Sequence, residues 1–344
     1  MSMTDLPEDQ RLKDISPKAY EHPADRAATA ALQSIPMLDV VVRKLIEFGY
    51  ERALRQIFLA GSVRLGSEQL PAAWAAHRAA CARLDLEVPG LWLTQYPVTN
   101  AAAIGADQPM VLLNSRTVEV LDEEELRTVL GHEAGHILSN HVLYRTALMI
   151  LLAIGTRGLP TLAGLPLIAV RMALLEWFRA AELSADRAAT LVNRDPRITS
   201  RTLMVMAGGT ASRKLNLEAF LRQVNEYEEW EPGWDKFSRL RIELGQTHAF
   251  PVRRVSEIMK WVRAGEYDRI IGGEYVRRGD PVDARNEAGD AVEFYAERFR
   301  SFFRDAGAGV ENTAEKIGPA VEKAGVVVGD AAEKLADWLR DRRE

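Results

Sequence analysis

Apolar residues recur at helical spacing through most of the chain. Leu38, Val41, Val42 and Leu45, then Leu54, Ile57, Phe58 and Val63, predict helices between Ala24 and Leu84. Pro71 opens a further helix around Trp74 to Leu84. The pattern changes at Trp92–Tyr96 and Met110–Leu113, which predict strands, with Asn100–Ile104 between them. Leu126, Val129 and Leu130 then give one apolar face of a helix, and Asp122 to Glu125 place negative charge at its start, where the backbone dipole favours it. Helical spacing returns at Leu203–Met206, Leu215–Phe220 and Ile258–Tyr267, with Trp230, Trp234 and Trp261 expected to pack these helices together. The sum is an α+β fold, mostly helical, with a short β-sheet beside the helix that follows Asp122.

Two segments depart from this amphipathic rhythm. Thr146 to Thr156 is an uncharged run of 11 and Gly158 to Val170 one of 13, separated by Arg157. Neither reaches the length of about 20 residues that spans a bilayer. Residues 146–170 therefore read as a hairpin buried against the core, or as a re-entrant or interfacial insertion. Arg145, Arg157 and Arg171 would then face headgroups or water. From about Ala306 the residues Val310, Ala314, Ile317, Val321, Ala324, Val328, Ala331, Leu335 and Trp338 follow a heptad-like alternation, which Gly318-Pro319 should break. This 306–344 tail reads as an amphipathic helix that docks on its own domain, a second copy or a membrane surface, or as a solvated helix. Residues 1–20 are polar and expected to be flexible.

Candidate chemistry is concentrated in His132-Glu133-Ala-Gly-His136. Two histidines four residues apart lie one turn apart on the same helix face, so both imidazoles can reach one metal ion. Glu133 sits one position round from that face, where it can touch a metal-bound water without being a ligand. That layout is two nitrogen ligands and a general base, as in a zinc peptidase.

Such a site needs a third protein ligand. The helical stretch Arg179 to Ala189 offers Glu182, with Asp186 four residues on and on the same face. Glu182 can complete the metal set. Asp186 can accept the second ring N–H of a ligand histidine and so fix its tautomer.

With these residues the sequence resembles the gluzincin metallopeptidases of the CAAX prenyl endopeptidase and HtpX type. Asn100–Gly105 and Pro109–Leu113 resemble the strands preceding that family's active-site helix, and His141 matches a further histidine often found there. His141 lies about 140° round a continuing helix from His136, which marks it as structural and not a ligand. Thr247–Val255 resembles a later His-Pro segment, although Ala249 stands where proline is usual. The resemblance covers roughly residues 20–275. It implies a zincin-like catalytic domain over 21–305 and a bound Zn2+ held by His132, His136 and Glu182. It also implies an orienting role for Asp186, with Arg254 nearby, and a place near the metal for His248, as donor to the oxyanion or as a cap on the zinc.

Composition narrows the remaining choices. The chain has 344 residues, 47% hydrophobic, enough for a substantial core, and a net charge of −5 with no dense basic cluster, which argues against a nucleic-acid partner. Cys81 is the single cysteine, so no intrachain disulfide is available. The first residues lack the basic and apolar regions of a signal peptide, and a cytoplasmic location, peripheral to a membrane at most, is expected. The expected activity is a zinc endopeptidase acting on unfolded or membrane-associated chains, held as an extended strand against the sheet edge. A gated holdase or adaptor is the alternative.

Overall fold

The computed structural model describes residues 10–33, 56, 60–105, 108–154, 161–229, 248–280, 295, 297 and 300. In chain order the elements are helix α1 (Pro23–Gln33), strand β1 (Val63–Arg64), helix α2 (Pro71–Arg83) and strands β2 (Gly90–Thr94), β3 (Ala101–Ile104) and β4 (Met110–Asn114). Helices α3 (Ser115–Val120), α4 (Glu123–Leu138), α5 (Val142–Ile154), α6 (Thr161–Asn193) and α7 (Pro196–Gly208) follow. The last are α8 (Leu217–Glu229), α9 (Pro251–Arg263) and α10 (Glu266–Ile271). The apolar positions expected between Leu38 and Phe58, Trp230, Trp234, Arg157 and the 306–344 tail lie outside the described residues. Among the described residues, no helix is long and apolar enough to cross a membrane.

Two compact units divide the chain. The first comprises Met1–His22, Arg55–Val142 and Arg179–Asp283 and carries the candidate chemistry. Its sheet has the order β1-β2-β4-β3, with β2 and β4 parallel and the other pairs antiparallel, so β3 is an edge. The register Leu91↔Val111 and Leu93↔Leu113 starts β2 two residues before the expected Trp92. Alternation then sends Leu91, Val111, Leu113 and Ala101 into the main core. Trp92, Ile104, Met110 and Leu112 pack together on the opposite face.

Helix α4 starts on a capping box. The Asp122 side chain accepts the Glu125 N–H at 2.9 Å, and the Glu125 carboxylate accepts the Asp122 N–H at 3.0 Å. Arg201 closes on the same carboxylates, 3.1–3.2 Å from Asp122, Glu124 and Glu125. Leu126, Val129, Leu130 and Ala134 of α4 share the core with Ala73, Ala76, Ala80 and Cys81 of α2. Residues ahead of α1 join it too: Leu12, Ile15 and Tyr20 are buried there. The helix expected through Ile258–Tyr267 is two helices, because Gly265 takes a positive φ of 75° between α9 and α10.

The second unit comprises Pro23–Leu54, Leu143–Phe178 and Ala284–Glu344. Here α1 buries Ala27, Ala28, Ala31 and Leu32. The Trp177 indole donates to Thr29 Oγ1 at 2.8 Å, and Tyr144 meets the Trp177 ring edge-on at 5.3 Å.

Candidate metal centre

Within the first unit, α4 and residues 179–193 of α6 lie in unusually close contact. A methyl group added at Gly135 would meet Ala188 Cβ at 2.6 Å and Ala185 Cα at 3.3 Å, and one at Gly131 would meet Val192 at 3.0 Å. Two glycines one turn apart thus let the helix backbones approach. His132 and His136 from one helix and Glu182 from the other are thereby brought together.

The nearest donor atoms of these three residues lie within 4.8 Å of one another, and all three residues are buried. His136 Nε2 is 3.1 Å from both His132 Nε2 and Glu182 Oε1, and His132 Nε2 is 3.5 Å from Glu182 Oε2. Glu182 Oε2 is buried with no hydrogen-bond partner, although Arg254 Nη1 is at 3.4 Å and His248 Nε2 at 3.8 Å. A buried carboxylate oxygen without a donor is costly. Two imidazole nitrogens turned toward each other beside it add repulsion when both present lone pairs. A divalent cation relieves both problems at once, so the donor set fits a metal.

The surroundings hold each donor in place. His132 Nδ1 donates to Asp186 Oδ1 at 3.0 Å, leaving Nε2 to face Glu182 and His136. Arg254 grips Asp186 with two bonds, Nε to Oδ2 at 2.7 Å and Nη2 to Oδ1 at 2.5 Å. Burial alone would push the Asp186 and Glu182 carboxyls up. Arg254 outweighs it at Asp186, and His248, His132 and Arg254 outweigh it at Glu182, so both are held below the usual range. Burial likewise disfavours charge on His132, but Glu182 and Asp186 override it and raise its pKa to about 9.

Glu133 lies beside the three donors, and one of its oxygens accepts the backbone N–H of Ala103 in β3 at 2.6 Å. His248 is about one-third exposed and lines the same cleft as Glu133. The cleft is narrow and lined in part by Asn100, Val129, Leu203 and Met206. It supplies an apolar wall beside the polar donors.

The structure therefore gathers all seven residues singled out from the sequence: His132, Glu133, His136, Glu182, Asp186, His248 and Arg254. It also adds features that sequence reasoning missed. His141 was placed by its angle on a continuing helix, but α4 ends at Leu138 and its C-cap is Ser139. The chain turns through Asn140, at φ 57°, and brings His141 Nδ1 to 3.0 Å from His136 Nδ1. Asn140 after Ser139 is the available signal, since asparagine favours the left-handed position that ends helices. The Ala103 N–H and the two glycines left no signal in a single sequence.

This arrangement is that of a metallopeptidase, and comparison with known proteins agrees. Residues 76–262 match the model of peptidase family M48, and the chain belongs to that family. It is 32% identical over 266 residues, 75% of this chain and 76% of the relative, to the plastoglobule-localized metallopeptidase 48, chloroplastic, of Arabidopsis thaliana. No solved structure matches the chain. The protein is thus a metalloendopeptidase, and its family implies a divalent metal at the His132–His136–Glu182 cluster.

Proposed function

We propose that the protein is a zinc endopeptidase that cuts unfolded or membrane-associated polypeptides laid along β3, in the service of protein quality control. The observation that carries this reading is the buried Oε2 of Glu182, which accepts no hydrogen bond, beside the two imidazole nitrogens of His132 and His136. Two nitrogens and a carboxylate are a common set for catalytic zinc, which keeps a further position open. When bound, zinc acts as a Lewis acid that polarises the scissile carbonyl and acidifies water.

The chain's own groups do the rest. Glu133 takes a proton from the attacking water and returns it to the departing amine. His248, 3.8 Å from Glu182, can donate a hydrogen bond to the oxygen that gains charge. Asp186 and Arg254 keep His132 in the tautomer that offers Nε2. An extended substrate has a natural berth on β3. The Asn114 N–H donates to Asn100 O at 3.1 Å, so strand alternation turns the backbone groups of Ala101 and the carbonyl of Ala103 away from β4, while the Ala103 N–H is held by Glu133. A peptide added there is held by its backbone, with little demand on its side chains.

The test compares the zinc-loaded protein with its Glu133→Gln variant on a reduced, unfolded protein. Cleavage by the wild type alone, with equal zinc in both, is the expected result. Equal cleavage by the two would overturn the role of Glu133. Zinc bound without cleavage by either would overturn the endopeptidase reading of substrate.

A further inference from the structure

The end of α4 has a histidine at each of two linked positions. The His141 N–H donates to His136 O at 2.9 Å, and the Asn140 N–H to Ile137 O at 3.0 Å, with Asn140 left-handed at φ 57°. These are the paired 6→1 and 5→2 bonds of a Schellman motif. An apolar contact usually joins the two residues that the longer bond connects. Here they are two buried imidazoles, with Nδ1 atoms 3.0 Å apart and rings inclined at 67°.

Of two facing Nδ1 atoms, one must carry a hydrogen and the other a lone pair. His136 Nε2 points at His132 Nε2 and Glu182 Oε1. To offer a lone pair there, His136 must keep its proton on Nδ1. His141 Nδ1 is then the acceptor, and His141 carries its own proton on Nε2. If His141 were protonated on Nδ1 instead, it would move the His136 proton to Nε2 and close that ligand to a metal.

We infer that His141 is a positioning residue of the metal centre: its Nδ1 accepts the Nδ1–H of His136 and fixes that ligand's tautomer and ring orientation. The inference rests on His136 being a metal ligand. Asp186 does the same for His132, but as an anion held by Arg254. The two ligand histidines thus differ in their support, one backed by a carboxylate and the other by an imidazole supplied by a helix terminus.

The test uses the full chain and zinc, with the variants His141→Asn and His141→Leu. Asparagine places Oδ1 at the same number of bonds from Cβ as Nδ1 of histidine, so it can accept the His136 hydrogen. Leucine fills the space without an acceptor. In competition against a chromophoric chelator, His141→Leu should bind zinc about 10–100-fold more weakly than the wild type. His141→Asn should recover most of that loss. The visible bands of the cobalt-substituted protein should shift in His141→Leu alone, and unfolding of the metal-free Leu and Asn variants should be alike. Nitrogen-15 NMR of the zinc-bound wild type provides a readout without any substitution, with hydrogen on Nδ1 of His136 and on Nε2 of His141. Wild-type zinc affinity in His141→Leu, failure of Asn to recover, or hydrogen on Nδ1 of His141 would overturn the inference alone. A wild type that binds no zinc would overturn the metal centre and the inference with it.

Discussion

The Glu133 carboxylate and the Ala103 backbone N–H are joined by a 2.6 Å hydrogen bond between α4 and the edge strand β3. The bond sets where the carboxylate sits, because Glu133 has three rotatable bonds and would otherwise sample several positions. Glu133→Asp shortens the reach by one methylene and draws the carboxylate back from β3. Peptide cleavage should fall by about 100-fold, the scale for a misplacement near 1 Å. Metal content, measured by atomic emission, should stay at the wild-type level. Wild-type activity in Glu133→Asp would mean the carboxylate position is not critical.

Gly135 is a packing requirement. Its added Cβ would lie 2.6 Å from Ala188 Cβ, and neither group is a flexible chain end that can swing aside. Gly135→Ala should destabilise the protein by about 1–3 kcal/mol, the usual range for overpacking. A lower urea midpoint checks this. An unchanged midpoint would mean that the helices part without cost.

Arg254 neutralises two buried carboxylates. Arg254→Met removes the guanidinium that the two share, leaving only the histidines beside them, and removal of one partner from a buried pair costs about 3–5 kcal/mol. Denaturant unfolding of the metal-free protein should register a loss of that order, and zinc should bind more weakly. Arg254→Lys should be intermediate, since one ammonium cannot reproduce the two-pronged bond to Asp186.

His22 Nε2 lies 3.2 Å from Glu257, one turn beyond Arg254 on α9. Burial raises the Glu257 carboxyl, but hydrogen bonds from His22 and Lys260 outweigh it and bring the pKa to about 2. A depressed folded-state pKa gives stability above the ordinary value of 4.5, lost as pH falls toward 2. Thermal melts should place Glu257→Gln below the wild type at pH 7, with a gap that narrows between pH 4.5 and 3. A constant gap would exclude this linkage.

What could be read from the sequence is what metal chemistry constrains. His132, His136, Glu182 and Asp186 declare themselves because ligand types are few and the helical period sets their spacing. Arg254 and His248 came only with a family resemblance, since nothing local marks an arginine as the partner of a distant aspartate. The strands were found through their apolar runs, but the start of β2 was set by pairing with β4, which local patterns do not contain. β1, with two residues, is too short for any periodicity. The helical period does not locate His141, because α4 ends at Leu138 and the chain turns before reaching it.

The contact at Gly131 and Gly135 carries a further consequence. The gap across which His132 and His136 face Glu182 depends on two missing methyl groups, each one residue before a ligand histidine and facing Ala185, Ala188 and Val192 of the helix that carries Glu182. A substituent there works as a shim: it widens the cage without altering any donor. Spacing and donor identity are thus set at different positions: Gly131 and Gly135 govern how near the two helices lie, and His132, His136 and Glu182 govern what is presented between them.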